Sequence, residues 1–247
     1  MKNLDFLKNK LIAHRGYHDM NKKIPENSIV AFKKAIRYNY PIELDVHLTK
    51  DNKLVVFHDY SLKRVCGVNK KIEECTYSEL LKYNLFDTKY KIPLFKEVLK
   101  LVDKKVGLLI ELKTEKFNGK LEKELCKLLD NYKDNFAIQS FNPVSVLWFK
   151  KNRKNYIRGL LSSDFRHDKN ISNLRKNMAK TLLADIILKT DFISFDINAL
   201  PNKYVENKRN KKLVLGWTVR NKKDYYESKK YCDNLICEFM EDYENLG

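Results

Sequence analysis

Four short polar clusters each close or interrupt an apolar, strand-like run of this chain. They supply two imidazoles, three carboxylates and two cations, in the order His14-Arg15-Gly16, Glu43-Leu44-Asp45, His58-Asp59 and Glu111-Leu112-Lys113. Imidazoles exchange protons near neutral pH, and carboxylate oxygens suit a hard divalent cation. Together these groups are the ones needed to cleave a phosphodiester with the help of a metal ion.

The two histidines of these clusters stand at the ends of separate apolar runs. His14 and His58 could act as general base and general acid on a scissile bond, because an unperturbed imidazole has a pKa of about 6.5. The alternative for each is a structural histidine whose hydrogen bonds are satisfied. The presence of two, one of them close to a carboxylate-bearing strand, favours the catalytic interpretation.

The three carboxylates offer only oxygen donors. We predict that Glu43, Asp45 and Glu111 bind one divalent cation, Mg²⁺ or Ca²⁺, since both prefer oxygen ligands. The alternative is a structural ion network in which Arg15 and Lys113 neutralise the carboxylates. In the functional interpretation those two cationic side chains bind the substrate phosphate, Arg15 through a bidentate guanidinium.

Apolar strand-like runs alternate with amphipathic helical stretches along the chain. Helical spacing is clear in Ser28 to Arg37 and Leu121 to Leu129, and Thr76-Tyr77-Ser78-Glu79 predicts a capping box that opens a short helix through Leu81. Repeated β-α units indicate a parallel sheet. The strand candidates are Leu11 to His14, Ile42 to Leu48, Leu54 to His58, Gly107 to Leu112, Phe136 to Phe141, Arg158 to Ser162, Phe192 to Ile197, Leu213 to Val219 and Leu235 to Phe239.

The second and third strand candidates cannot both belong to the parallel sheet. Only five residues separate Leu48 from Leu54, whereas a parallel crossover needs about a dozen. The two strands must therefore form an antiparallel hairpin, which brings His58 back toward Asp45.

Without the hairpin strand, eight parallel strands remain. They predict an α/β fold, a (β/α)8 TIM barrel with a small hairpin-plus-helix insertion after the second strand. The length of 247 residues is usual for one barrel. We therefore expect a single domain over residues 1–247, with an inserted subdomain at about residues 47–105.

Side-chain alternation assigns the polar residues of the second strand to one face. In Ile42 to Leu48 the apolar residues point one way, and Glu43 and Asp45 point the other. Helices cover the outside of a barrel, so these carboxylates should point inward near the carboxyl end of the strand, where active sites of this fold lie. Glu111 and Lys113 repeat the arrangement.

Two other features have more than one explanation. Trp217 could pack in the core or form an apolar wall against the carbon skeleton of a substrate. Pro25-Glu26-Asn27-Ser28 is explained sufficiently as a helix start. His18, His47 and His167 have no comparable context, and we assign them surface or supporting roles.

The composition is strongly basic, with a formal net charge of +17. Such a surface could attract nucleic acid, anionic lipid or a phosphate-bearing substrate, but a lysine-rich bias on solvated faces explains it as well. No motif with interleaved aromatic residues accompanies the charge, so no nucleic-acid partner is predicted. The five cysteines contain no Cys-x-x-Cys pair and indicate neither a disulfide framework nor a zinc site.

Targeting signals are also absent from the sequence pattern. Residues 1–10 lack the apolar stretch of a signal peptide, and no apolar run approaches the ~20 residues of a membrane span. We expect a cytoplasmic protein without stable membrane insertion, and we predict no oligomeric state.

The order and spacing of the motifs resemble those of the glycerophosphodiester phosphodiesterase family. The C-terminal matches are looser: Cys237-Glu238 stands where the family usually has Thr-Asp, and Ser28 replaces a commoner Thr. The matching segments are Ile12-Ala13-His14-Arg15-Gly16, Pro25-Glu26-Asn27-Ser28, Glu43-Leu44-Asp45-Val46, Thr49-Lys50-Asp51, Val55-Val56-Phe57-His58-Asp59, Leu62-x-Arg64, Glu111-x-Lys113, Gln139-Ser140-Phe141 and Trp217-Thr218-Val219.

This resemblance implies metal-dependent hydrolysis of a small glycerophosphodiester to sn-glycerol 3-phosphate and an alcohol such as choline or ethanolamine. It also implies the metal ligands, acid/base pair and phosphate-binding residues named above, with Trp217, Phe195, Asp196 and Asn198 near the substrate. The nucleophile is water or the glycerol 2-hydroxyl. There are two alternatives. One is a phospholipase D-like enzyme that acts on lysolipids at membranes. The other is a non-catalytic anion-binding barrel, but such a protein has no need of the complete catalytic set.

Overall fold

The computed structural model describes residues 2–243 of the chain. Within them the chain forms two compact units. One comprises residues 13–136, and the other comprises residues 2–12 together with residues 137–243.

The unit of residues 13–136 is built around β2. This strand pairs in parallel with β1 and β4 and antiparallel with β3, so the predicted hairpin is confirmed. The strands are β1 (Ile12–Ala13, at the boundary of the unit), β2 (Ile42–Leu48), β3 (Leu54–Val56) and β4 (Leu108–Leu112), and the helices are α1 (Ile29–Arg37), α2 (Lys63–Cys66), α3 (Tyr77–Leu80), α4 (Phe95–Val102) and α5 (Lys120–Leu129).

The other unit repeats a simple β-α pattern. Its consecutive strands pair in parallel from the first to the last. The strands are β5 (Phe136–Ser140), β6 (Ile157–Ser162), β7 (Phe192–Asp196), β8 (Leu213–Val219) and β9 (Asn234–Cys237), and the helices are α6 (Pro143–Asn152), α7 (Asn173–Lys180), α8 (Ala184–Leu188), α9 (Lys203–Arg209) and α10 (Lys222–Lys229).

The strand order is that of a (β/α)8 barrel, with β3 as an additional antiparallel strand. The predicted fold class is confirmed, although several strand ends differ from the sequence pattern. The first strand stops at Ala13 instead of His14, because the chain turns at Arg15 with a φ of +53°. The last one stops at Cys237 instead of Phe239, because Phe239 adopts a φ of +54°.

The segment after β3 has an apolar cluster of its own. Within it, the Thr76 hydroxyl accepts a hydrogen bond from the Glu79 N–H, and the Glu79 carboxylate accepts one of 2.7 Å from the Thr76 N–H. This is the predicted capping box, although the helix ends at Leu80, one residue early. The cluster supports the inserted subdomain at about residues 47–105, which stays a prediction, as does the single domain. Its buried residues are Val55, Phe57, Leu62, Val65, Ile72, Cys75, Leu80, Leu85, Ile92 and Leu94.

Helix length also bears on the expected lack of membrane insertion. Among residues 2–243, no helix combines the length and the apolar composition that crossing a bilayer requires.

Candidate active site

A sharp turn after β1 carries His14 and Arg15 into the site. Gly16 completes the turn with a φ of +80°, and a Cβ atom there would lie 2.9 Å from the Phe32 ring on α1, so only glycine fits. The turn directs the Arg15 backbone N–H to Oε2 of Glu43, at 2.9 Å. Nε2 of His14 lies 3.9 Å from the same oxygen.

The three predicted metal ligands come together on β2 and β4. Asp45 is directly opposite Glu111 in the parallel register, and Glu43 lies two residues before Asp45 on the same face. All three side chains are buried. Each offers one carboxylate oxygen, and these oxygens all lie within 4.8 Å of one another.

Two cationic side chains border the carboxylates. Nζ of Lys113 lies 2.5 Å from Oε1 of Glu111 and 3.2 Å from Oδ1 of Asp45. Nε of Arg15 lies 3.7 Å from Oδ2 of Asp45. Three carboxylates therefore face two cations in a buried space, as both the metal-site and the ion-network interpretations require.

The pKa directions show that the two cations do not balance this site. Burial raises the pKa of Glu43 well above its usual value, and the charges of Asp45 and Glu111 raise it further. Burial also raises the pKa of Glu111, against the opposing effect of Lys113. In Asp45 the positive charges, that of Lys113 above all, outweigh burial and lower the pKa. Negative charge is thus unfavourable at Glu43 unless a further cation is present.

The chemistry of the donor set fits such a cation. The cluster contains carboxylate oxygens and no nitrogen or sulfur ligand, which suits Mg²⁺ or Ca²⁺ better than a softer metal. A divalent ion held by Glu43, Asp45 and Glu111 would offset the burial and the mutual repulsion that raise the pKa of Glu43.

The segment before α1 both starts the helix and contacts the site. Ser28 is the N-cap, and its hydroxyl accepts a 3.2 Å hydrogen bond from the Ala31 N–H. Asn27 donates its side-chain N–H to Oδ2 of Asp45 at 2.8 Å. The preceding Glu26 accepts a 2.8 Å hydrogen bond from Nη1 of Arg15. The helix-start interpretation is therefore right but incomplete.

His58 is held by a carboxylate that is itself held by an arginine. Nδ1 of His58 lies 2.6 Å from Oδ1 of Asp59. Arg64 donates to both oxygens of Asp59, at 2.7 and 2.9 Å, and to both oxygens of Glu26, at 2.7 and 3.1 Å. Burial by itself raises the pKa of Glu26, but Arg64 and Arg15 outweigh it and lower the pKa to about 2. One guanidinium thus connects the carboxylate behind His58 with the carboxylate behind Arg15.

The β2–β3 hairpin brings the segment after β3 to the carboxylates. The Phe57 N–H donates to the Asp45 carbonyl at 3.0 Å. One residue on, the carbonyl of His58 lies 3.2 Å from Nε2 of His47. Burial lowers the pKa of His47 to about 4, so its neutral imidazole can donate an N–H to that carbonyl at neutral pH. The supporting role expected for His47 is to hold this backbone.

Trp217 lies on β8, in the other unit. Its ring packs edge-on against Phe141 at 5.5 Å, and Phe141 in turn contacts Phe165 at 5.7 Å. Nearby in sequence, Phe195 is buried, and Asp196 accepts a 2.9 Å hydrogen bond from the Asn198 N–H. The part that these residues take in substrate binding stays a prediction.

Sequence reasoning assigns no site role to three residues that contact the site. Glu26, Asn27 and Arg64 all occur in the segments that match the family motifs, and that match was the signal that could have identified them. Their partners could not be read from the sequence, because each bond joins segments that are 11 to 38 residues apart.

Comparisons with known proteins identify the class and the family. The chain is an enzyme of the phosphodiester hydrolase class. It belongs to the glycerophosphoryl diester phosphodiesterase family, whose model matches residues 14–240.

Two curated relatives and one solved structure are similar to this chain. A glycerophosphodiester phosphodiesterase of Bacillus altitudinis is 32% identical over 64% of this chain and 68% of its own length. YhdW of Bacillus subtilis is 38% identical over 57% of this chain, and the match spans 60% of YhdW, less than two thirds of it. A phosphodiesterase of Oleispira antarctica, solved with the product sn-glycerol 3-phosphate, superimposes with a TM-score of 0.77 at 20% identity, covering 94% of this chain and 93% of its own. That last similarity concerns the fold.

Proposed function

We propose that the enzyme hydrolyses glycerophosphodiesters to sn-glycerol 3-phosphate and an alcohol, with a divalent cation as cofactor. The observation that carries the proposal is the cluster of three buried carboxylates within 4.8 Å, with Lys113 at 3.2 Å from Asp45 and His14 at 3.9 Å from Glu43. The relative from Bacillus altitudinis and the product bound to the Oleispira antarctica enzyme support the same reaction.

Glu43, Asp45 and Glu111 would hold the cation. When bound, it would polarise a phosphoryl oxygen and stabilise the charge that develops there. Arg15 and Lys113 add positive charge for the phosphate, and the hydrogen bond that Arg15 donates to Glu26 fixes the guanidinium in one orientation.

His14 and His58 divide the proton transfers between them. One accepts the proton of the attacking hydroxyl, and the other donates a proton to the oxygen of the leaving alcohol. Asp59 holds Nδ1 of His58, which leaves Nε2 as the nitrogen that exchanges a proton with the substrate. The hydroxyl that attacks is that of water or of the glycerol C2 atom.

Release of glycerol 3-phosphate from glycerophosphocholine tests the proposal. We expect turnover that a chelator abolishes and that Mg²⁺ or Ca²⁺ restores. His14→Ala and His58→Ala should each lower kcat by about 10² to 10⁴, the usual contribution of a general acid or base. The control is His167→Ala, at an exposed histidine, which should leave kcat unchanged.

Other outcomes would favour the alternatives. Turnover that is indifferent to chelator, or full activity in His58→Ala, would overturn the metal and acid/base roles. Cleavage of lysolipid aggregates without cleavage of glycerophosphocholine would indicate the phospholipase D-like enzyme. Tight phosphate binding without any turnover would indicate an anion-binding barrel. The cytoplasmic location stays a prediction.

A further inference from the structure

The α7–α8 surface, residues 169–188, exposes large apolar side chains. Helix α7 has no buried residue. The exposed fractions are 71% for Leu174, 42% for Met178, 48% for Leu183, 63% for Ile186 and 65% for Ile187. Single exposed apolar residues are common, but a group of five within 14 consecutive positions is a candidate interaction site.

These five side chains follow one another along the surface. Leu174 and Met178 are four residues apart on α7 and share one face of the helix. The Leu183 N–H then donates to the Met178 carbonyl at 3.1 Å, which places the two residues next to each other. Ile186 and Ile187 follow Leu183 by three and four residues in the turn that forms α8. The five residues therefore belong to one short segment whose two helices are joined by this hydrogen bond.

The segment that carries this apolar group has only positive charges between residues 169 and 184. Residues 169–184 contain Lys169, Arg175, Lys176 and Lys180 and no acidic residue. The acidic residue that follows, Asp185, is buried and paired with two lysines of its own unit, Lys208 at 2.6 Å and Lys212 at 2.8 Å. It therefore adds no negative charge to the exposed face.

We propose that the α7–α8 surface docks the enzyme onto an anionic lipid membrane. Apolar side chains flanked by lysine and arginine are the features of a segment that lies in the plane of a membrane interface. Basic residues are attracted to the negative surface of an anionic leaflet, while exposed leucine and isoleucine side chains enter the acyl boundary. Docking of this kind needs no membrane-spanning helix.

Vesicle sedimentation tests the proposal. We expect the purified protein to sediment with phosphatidylcholine vesicles that contain 30% phosphatidylglycerol and not with pure phosphatidylcholine, and we expect high salt to release it. Arg175→Glu/Lys180→Glu should weaken partition by tenfold or more, as about 1 kcal/mol per basic residue implies. Ile186→Ser/Ile187→Ser should weaken it similarly through the lost apolar contact.

Matched variants separate this surface from the general charge of the protein. Lys222→Glu/Lys223→Glu changes the net charge by the same amount at two exposed lysines on α10. Tyr226→Ser removes an exposed apolar side chain elsewhere. Both should retain binding. Equal weakening in the control and test pairs would show that overall charge alone binds the vesicles, and would overturn the proposal.

Two further results would also contradict membrane docking. One is a lack of binding to anionic vesicles. The other is a concentration-dependent dimer in sedimentation velocity that Ile186→Ser/Ile187→Ser dissociates, which would assign the surface to a second copy of the chain. Hydrolysis of soluble glycerophosphocholine, measured without vesicles, reports on the proposed function separately, so failure of one does not imply failure of the other.

Discussion

Asp59 holds Nδ1 of His58 at 2.6 Å from its Oδ1 atom, and the neighbouring Oδ2 atom is occupied by Arg64. The carboxylate is thereby fixed from both sides, since Arg64 also donates to Oδ1 at 2.9 Å. A histidine so held keeps one ring orientation and one tautomer. The orientation of His58 therefore depends on Arg64 through the carboxylate that they share.

The first prediction concerns this arginine. Arg64→Lys should lower kcat by about 10- to 100-fold, because one ammonium cannot reproduce the fork of bonds to two carboxylates. Steady-state kinetics would measure it, and circular dichroism would verify the fold. The loss should be larger in kcat than in KM, since the substrate does not touch Arg64 in the proposed mechanism.

The control for Arg64→Lys is Arg209→Lys. Arg209 also bonds a carboxylate, that of Asp233 at 2.8 Å, in the other unit of the chain. Its replacement should leave kcat unaltered. An unchanged kcat in Arg64→Lys would show that His58 is oriented without this chain of contacts.

The second prediction concerns metal binding without any activity assay. Mg²⁺ or Ca²⁺ should raise the melting temperature of the chelator-treated protein, since a ligand at 100 times its Kd stabilises the native state by about 2.7 kcal/mol. Glu43→Gln should abolish most of this effect. Glu124→Gln, at a surface ion pair with Lys127, should preserve it. A melting temperature that does not respond to either ion would favour the structural ion network.

The third prediction compares two glycines with the same backbone conformation. Gly16 has a φ of +80° and Gly67 a φ of +72°, but a Cβ atom clashes with Phe32 and Ala31 only at Gly16. Gly67→Ala should cost about 1 kcal/mol in unfolding free energy, and Gly16→Ala a further 1 to 3 kcal/mol through overpacking. Urea denaturation measures both. Equal losses of unfolding free energy in the two variants would mean that the turn after β1 can shift to make room for the added methyl group.

The fourth prediction concerns stability in acid. Burial raises the pKa of Asp185, but hydrogen bonds from Lys208, Lys212 and Thr190 outweigh it and lower the pKa to about 2. A lowered pKa in the folded state means that the stabilisation is complete above the ordinary value of 3.8 and is lost as the pH falls toward 2. One pKa unit corresponds to about 1.4 kcal/mol, so the shift from 3.8 to about 2 contributes about 2 to 3 kcal/mol.

Asp185→Asn isolates this contribution. Urea unfolding should show the variant to be less stable than the parent at pH 6, and the gap should shrink between pH 4 and pH 2. A gap that is constant over this range would assign the loss to packing and not to the carboxylate charge.

Features that depend only on residues close together in the chain were predictable from the sequence. Alternation placed Glu43 and Asp45 on one face, because strand side chains alternate whatever the tertiary structure. The hairpin followed from the short connection between Leu48 and Leu54, which excludes a parallel crossover. Both arguments use only neighbours in the chain.

Contacts between distant segments were not predictable in the same way. Arg64 donates a hydrogen bond to Glu26, which is 38 residues away in the chain. The hydrophobic periodicity of the sequence does not predict a contact of this kind. Strand ends were also missed where one residue adopts a left-handed backbone, as Phe239 does. A phenylalanine in that conformation is uncommon, so the sequence pattern favoured an extended strand to that point.

The hairpin between β2 and β3 brings His58 back beside the strand that carries Asp45, and with it the proposed catalytic, metal and phosphate-binding residues fall within 14–113. The reactive chemistry is thus encoded in one uninterrupted stretch of the gene, which recombination can transfer whole. None of those side chains belongs to a residue after 136. Substitutions in the second half of the chain can therefore alter the predicted substrate contacts, such as that of Trp217, without replacing a residue of the proposed reaction.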